Sequence, residues 1–185
     1  AELGISSSLL AHHLNLLERE GMLVRTRSEA DRRRTYLHLA PGAFEGLVPS
    51  PAVGVRRVVF VCTGNSARSQ LAAALWHDAS EIPVASAGTH PADAIEPGAI
   101  AAADRHGLTL RASQPQALEQ VLDADDYVIT VCDTAHEELG RTGRLHWSVP
   151  DPVRDGSEVA FDAAFEDIAA RIQSLAPRLT TTTKG

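Results

Sequence analysis

The sequence predicts an α/β protein: a four-stranded parallel sheet with helices on both faces, preceded by a small unit of one helix and a β-hairpin. Three observations predict it. Apolar runs at Val58 to Cys62, Ile82 to Ala87, Tyr127 to Cys132 and Leu145 to Val149 alternate with helix-forming segments, the pattern of parallel strands joined by crossovers. The first fifty residues read differently, as one amphipathic helix and two short alternating runs. Between them Leu47 to Val55 carries Pro49, Pro51 and Gly54 and reads as a linker. The expected organisation is a first unit over 1–48, a linker over 49–55, the α/β domain over 56–179 and a flexible Thr-rich tail over 180–185.

Composition narrows the function. The 185 residues are 44% hydrophobic, enough for a real core, and hold two cysteines. No long apolar run and no signal-like start is present, which predicts a cytoplasmic protein that meets no membrane and keeps its thiols reduced. The first fifty residues hold six of the 17 basic and six of the 24 acidic residues, leaving 11 basic against 18 acidic thereafter. The α/β domain is therefore no general nucleic-acid binder, and any such role belongs to the first unit.

In that first unit Ser6 is the expected N-cap, Ile5, Leu9, Leu10, Leu14, Leu16 and Leu17 the apolar helical face, and Gly21 the stop. Leu23 to Arg27 and Thr35 to Leu39 are the strands, joined by S-E-A-D-R-R-R, which reads as the end of a winged helix-turn-helix. The run I-S-S-S-L-L-A-H-H-L-N-L-L-E-R-E-G-M-L-V resembles the recognition helix and first wing strand of ArsR-type repressors. That resemblance implies groove contacts from Ser6, Ser7, Ser8 and His12, and phosphate or minor-groove contacts from Arg27, Arg32, Arg33 and Arg34. The match is partial: the earlier helices of that fold are not among these residues, and none of the first fifty is a cysteine that would sense arsenite.

The α/β domain opens on V-V-F-V-C-T-G-N-S-A-R-S, Val58 to Ser69, read as strand, tight loop and the start of a helix running to about Ala79. A loop entering a helix N-terminus aims successive N–H groups at one point and favours an anion there. The expected oxyanion cradle is Thr63, Gly64, Asn65, Ser66, Ala67, Arg68 and Ser69, with the Arg68 fork matching two oxygens. Cys62 at its base is the expected nucleophile, Ser69 gives it a hydroxyl, and Asn65 braces the loop. Trp76 is expected in the core. After the second strand, Pro97 opens a helix that Gly107 ends, and Pro115 is expected to start another reaching about Asp123. Asp123, Asp125 and Asp126 then read as a solvated turn, with no metal site. Cys132 ends the third strand as Cys62 ends the first, so the two sulfurs are candidate neighbours. The fourth strand delivers Pro150, Asp151 and Pro152, and Phe161 to Leu175 is an amphipathic closing helix facing inward with Phe161, Phe165, Ile168, Ile172 and Leu175.

Cys62 to Ser69, with the later Asp151-Pro152, resembles the low-molecular-weight protein tyrosine phosphatases and their arsenate reductase relatives over about Val55 to Leu179. The resemblance implies that fold, Cys62 as nucleophile, Arg68 on the oxyanion, and Asp151 as general acid, with Asp155 a weaker second choice. It also places Ser113 in a connection that bears a small polar residue in the family. V-C-D-T-A-H-E-E-L resembles the stretch bearing the second redox cysteine of thioredoxin-coupled arsenate reductases. The third cysteine of that relay falls on Leu139, so a full three-thiol relay is not expected. The leading expectation is an arsenate reductase fused to a partial ArsR-type segment, with no bound cofactor. Its second thiol is Cys132 or an external reductant: glutathione, mycothiol or a glutaredoxin- or thioredoxin-type protein. Two rivals stand beside it: a tyrosine phosphatase, and an oxyanion- or redox-responsive regulator with little turnover. The implied partners are arsenate or phosphate, the thiol reductant, operator DNA and a second copy in a homodimer.

Overall fold

The computed structural model describes residues 4–40, 43 and 52–182, and the chain divides between residues 50 and 51 into two compact units. Residues 49–51 of the expected linker and 183–185 of the expected tail lie outside the described residues.

In the first unit Ser6 caps helix α1 (Ser7–Arg19), its Oγ accepting the Leu9 N–H at 3.2 Å. Gly21, at φ 69°, lets the chain reverse so that the Met22 N–H reaches the Leu17 carbonyl at 2.9 Å. Strands β1 (Leu23–Arg27) and β2 (Thr35–Leu39) then pair antiparallel, Leu23 opposite Leu39. The expected apolar face of α1 is not buried: no residue of the helix is, and Ile5, Leu9, Leu16 and Leu17 stay exposed. One helix on a two-stranded hairpin has only one side to cover.

The second unit is built on strands β4 (Val58–Cys62), β5 (Val84–Gly88), β6 (Tyr127–Thr130) and β7 (Leu145–His146), all parallel in the order β5-β4-β6-β7. Every side chain of β4 is buried, and since successive residues point to opposite faces, both faces of the sheet are covered. Helix α2 (Arg68–Ala79) packs on β4 and β5 and against α7 (Glu158–Leu175), and α5 (Asp133–Leu139) packs on β4 and β6. Phe60 is in ring contact with Trp76 and Trp147 at centroid distances of 5.9 and 5.6 Å. Trp76 also donates its indole N–H to the Ile82 carbonyl at 3.1 Å, so the ring is fully buried without an orphaned donor. From α7, Phe161, Phe165, Ile168 and Ile172 are buried, and each such side chain contributes about 1.5–3 kcal/mol of transfer free energy.

Several expected boundaries shift. The second strand begins at Val84, because Pro83 has no N–H to give the ladder. The third ends at Thr130 and the fourth at His146, each handing over to a loop or cap at the site. The helix expected from Pro115 is one turn, α4 (Leu118–Val121), because Ala117 instead bridges Gly88 at the end of β5. Val53–Val55, expected as linker, is strand β3, and it pairs parallel with β8 (Leu179–Thr181), whose last two residues were expected in the tail. The Asp123 to Asp126 turn is not simply solvated. Asp126 is buried, takes Arg57 Nε at 2.9 Å and the Asp123 N–H at 2.8 Å, and lies 3.4 Å from Arg56. Burial works against its charge, but Arg57 and these neighbours outweigh it and hold the carboxyl below the usual range.

Candidate active site

The buried run of β4 ends at Cys62, and α2 begins at Arg68, so Thr63 to Ala67 must close a tight loop at the C-terminal edge of the sheet. The segment after β5 fixes that loop from outside. Thr89, His90, Ala92 and Glu96 donate their N–H groups to the carbonyls of Cys62, Thr63, Gly64 and Ser66 at 2.9–3.1 Å. In a trans peptide the next N–H points opposite to the carbonyl, so the amides of Thr63, Gly64, Asn65 and Ala67 turn away from that segment. The Asn65 N–H lies 3.1 Å from Cys62 Sγ, which locates the sulfur among those inward-turned amides. Gly88 permits the approach: a Cβ there would stand 2.6 Å from the Thr63 carbonyl oxygen.

Cys62 is 3% exposed and also lies 3.0 Å from Ser69 Oγ. Asn65 adopts φ 48°, uncommon for a residue with a side chain, and is fully buried. Its Nδ2 donates to Ser69 Oγ at 2.8 Å, and its Oδ1 accepts the Gln116 N–H at 2.8 Å and Gln70 Nε2 at 3.0 Å. Neither Gln70 nor Gln116 was singled out in the sequence, and the Gln116 contact comes from the segment that follows Ser113. Only helix periodicity pointed to Gln70, as a polar residue on the buried start of α2.

Arg68, mostly buried, donates to the Val149 carbonyl at 3.0 Å and lies 3.1 Å from Asp151 Oδ2. Asp151 caps the short helix α6 (Pro152–Asp155), accepting the Val153 N–H at 3.3 Å, with Arg154 3.7 Å away. Asp155 is exposed and turned to the Ser157 N–H, whose residue holds its carboxyl below the usual range, so it is Asp151 that the fold brings to Arg68.

Cys132 N-caps α5, and its Sγ lies 3.4 Å from both Thr63 Oγ1 and the Ala135 nitrogen. Burial pushes its thiol up and the charge of Cys62 adds to that, while Arg68, Thr63 and the Ala135 N–H oppose it. Both cysteines are free. Behind them, His136 and His146 stack at 4.0 Å, Thr130 Oγ1 lies 2.9 Å from His146 Nδ1, and His146 Nε2 is 3.1 Å from Asp133 Oδ1. This cluster ties the first residue of α5 to β6 and β7. Among the described residues no group of three or more His, Cys, Asp or Glu side chains is placed to hold a metal.

The residues expected to meet DNA lie in the first unit and are all exposed: Ser6, Ser7, Ser8 and His12 at the start of α1, Arg27 at the end of β1, and Arg32, Arg33 and Arg34 in the turn. Asp31 takes Arg33 at 3.0 Å and lies 3.6 Å from Arg34.

Residues 57–184 match the sequence model of the low molecular weight phosphotyrosine protein phosphatase family. Arsenate reductase 1 of Bacillus cereus is 32% identical over 129 residues, covering 65% of this chain and 94% of that protein. The solved structure of an arsenate reductase in the phosphate binding state superposes with a TM-score of 0.58 at 25% identity, covering 68% of this chain and all of that one. Wzb of Vibrio vulnificus, solved in complex with benzylphosphonate, shares the fold at a TM-score of 0.60 and 23% identity, with coverage of 68% and 100%.

Proposed function

The chain belongs to the low molecular weight phosphotyrosine protein phosphatase family and is an enzyme of it, and from that premise we propose that it reduces arsenate to arsenite. The observation that carries the reading is the pairing of two free thiols: Cys62 in the anion loop, and Cys132 held against the same loop through Thr63. A hydrolytic phosphatase needs the first of these thiols alone, whereas reduction needs two electrons and hence two sulfurs. Relatives of about a third identity over this domain carry the name arsenate reductase.

Arsenate enters the cradle of inward-turned amides and takes the Arg68 fork, which frees Asp151 from its ion pair. Released from Arg68, Asp151 takes a proton from solvent; Cys62 Sγ then forms a bond to arsenic as one arsenic–oxygen bond breaks, and the departing oxygen leaves as water with that proton. Cys132 Sγ, as thiolate, then forms a disulfide with Cys62 as the sulfur–arsenic bond breaks. The electron pair stays on arsenic, which leaves as arsenite, while the two sulfurs are oxidised. An external thiol, glutathione, mycothiol or a thioredoxin-type protein, reduces that disulfide, or takes the place of Cys132 and leaves a mixed disulfide on Cys62. Such chemistry suits the reducing cytoplasm, and no helix among the described residues is long and apolar enough to cross a membrane. For the first unit, the exposed serine-rich helix start and the arginine turn support contact with operator DNA.

The test is steady-state turnover of the whole chain on arsenate, with glutathione, mycothiol and thioredoxin systems supplied separately, beside hydrolysis of para-nitrophenyl phosphate. Arsenate-dependent consumption of one reductant is the expected result. Ester hydrolysis alone moves the assignment to phosphatase, and silence on both leaves an oxyanion-responsive regulator.

A further inference from the structure

Gln70 lies one residue beyond the expected loop and is buried at 3% exposure. Its Nε2 is 3.0 Å from the Asn65 backbone carbonyl and 3.0 Å from Asn65 Oδ1. Backbone groups at both ends fix the direction of every hydrogen bond here. The Gln116 N–H can only donate, so the Asn65 atom that meets it is the oxygen. The Asn65 carbonyl can only accept, so the Gln70 atom that meets it is the nitrogen. With its oxygen committed twice, Asn65 must turn its nitrogen to Ser69 Oγ, 2.8 Å away. Ser69 Oγ then accepts from Asn65, and its own proton is left for Cys62 Sγ at 3.0 Å.

We propose that Gln70 is a positioning residue for the nucleophile: through Asn65 it aims both the Ser69 hydroxyl and the Asn65 N–H at Cys62 Sγ. The inference rests on the reading of Cys62 as nucleophile and holds whether the substrate is arsenate or a phosphate ester. Gln70 touches neither the sulfur nor an oxyanion. It clamps the one left-handed residue of the loop by two donors from a single amide, so its loss lets Asn65 relax its backbone or turn its amide. Either change withdraws a donor from the sulfur.

The experiment is the pH profile of Cys62 alkylation by iodoacetamide, with the adduct located by mass spectrometry, on the parent, Gln70→Leu and Gln70→Met. Arg68 and Cys132, whose interactions reach across this loop, remain in place in all three. The midpoint in the variants is expected to rise by about one pH unit, the scale of one lost hydrogen bond to a charged sulfur. Turnover in kcat should fall about tenfold, while competitive inhibition by inorganic phosphate stays within about twofold. In Ser69→Ala plus Gln70→Leu the midpoint should move less beyond that of Ser69→Ala than Gln70→Leu moves it in the parent, because part of the effect runs through Ser69. An unmoved midpoint in a folded variant overturns the proposal. So does a midpoint that moves only together with loss of phosphate inhibition, since that is collapse of the whole loop. If Gln70→Leu does not fold, Gln70→Met decides by the same readings. Alkylation needs no substrate, so a parent silent on arsenate and ester would sink the functional reading and leave this one standing or falling on the profile.

Discussion

Arg57 and Arg68 flank the same stretch of chain, the first just before β4 and the second just after the loop that follows it, and both face aspartates. Arg57 meets Asp126, whose side chain is wholly buried and whose oxygens also hold the Asp123 N–H and lie near Arg56. Arg68 meets one oxygen of Asp151, a residue on a proline-flanked loop that stays partly open to solvent. The first carboxylate is held by several protein donors on a side chain shut from solvent, whereas the second stays partly open, where the oxyanion proposed above would take its place on Arg68. Two arginine–aspartate pairs in one domain therefore differ in kind: one closes the fold, and the other, on the proposed function, holds a binding group ready.

The sharpest way to break that comparison is at the loop itself. Cys62→Ser is expected to lower turnover by about a thousandfold or more while leaving the urea midpoint near the parent value, since a hydroxyl fits the same hydrogen bonds but is a poor nucleophile. Turnover within tenfold of the parent would sink the assignment. Asp151→Asn should cost about a hundredfold in kcat, the usual scale for losing a general acid, and an unchanged kcat would place the acid elsewhere. At the other end Asp126→Asn should leave kcat unchanged and cost about 2 kcal/mol in urea unfolding at pH 7, because Arg57 loses its buried partner. The Asp126 carboxyl is held below its unfolded value. Its contribution is therefore complete above about pH 5 and is lost progressively as pH falls below about 4 through the lowered folded value, so the stability gap between parent and variant should narrow steadily in acid. A gap that persists in acid would mean the pair is not ionic in its effect. Cys132 gives a finer test: with its thiol pushed up by burial, formation of the Cys62–Cys132 disulfide should quicken as pH rises from 7 to 9, read by quenched-flow trapping. The smallest effect is expected in the first unit. Changing Arg32, Arg33 and Arg34 to alanine should weaken binding to the operator and flatten its salt dependence by less than three full charges, because Asp31 already engages Arg33 and Arg34. Binding unaltered in strength and salt slope would remove the turn from the interface.

Much of this was legible in order of chain. The Val58 to Ser69 run specified strand, loop and helix because its apolar stretch, its Gly64 and its helix formers agree. The hairpin of the first unit fell where its alternation placed it. What failed did so for lack of long-range partners: Val53–Val55 is too short to read as a strand without Leu179–Thr181 beside it, and Asp126 reads as a solvated turn until Arg57 is folded onto it.

The sequence by itself determined which residues meet in the loop, because Cys62, Asn65, Arg68 and Ser69 lie within eight positions and local geometry binds them. Only the tertiary structure decided that Asp151 and not Asp155 faces Arg68, that Cys132 comes within reach of Thr63, and that the Gln116 N–H meets the Asn65 side-chain oxygen. Those choices depend on how four parallel strands register side by side, and a register is a property of pairs of segments far apart in the chain, which no single segment contains.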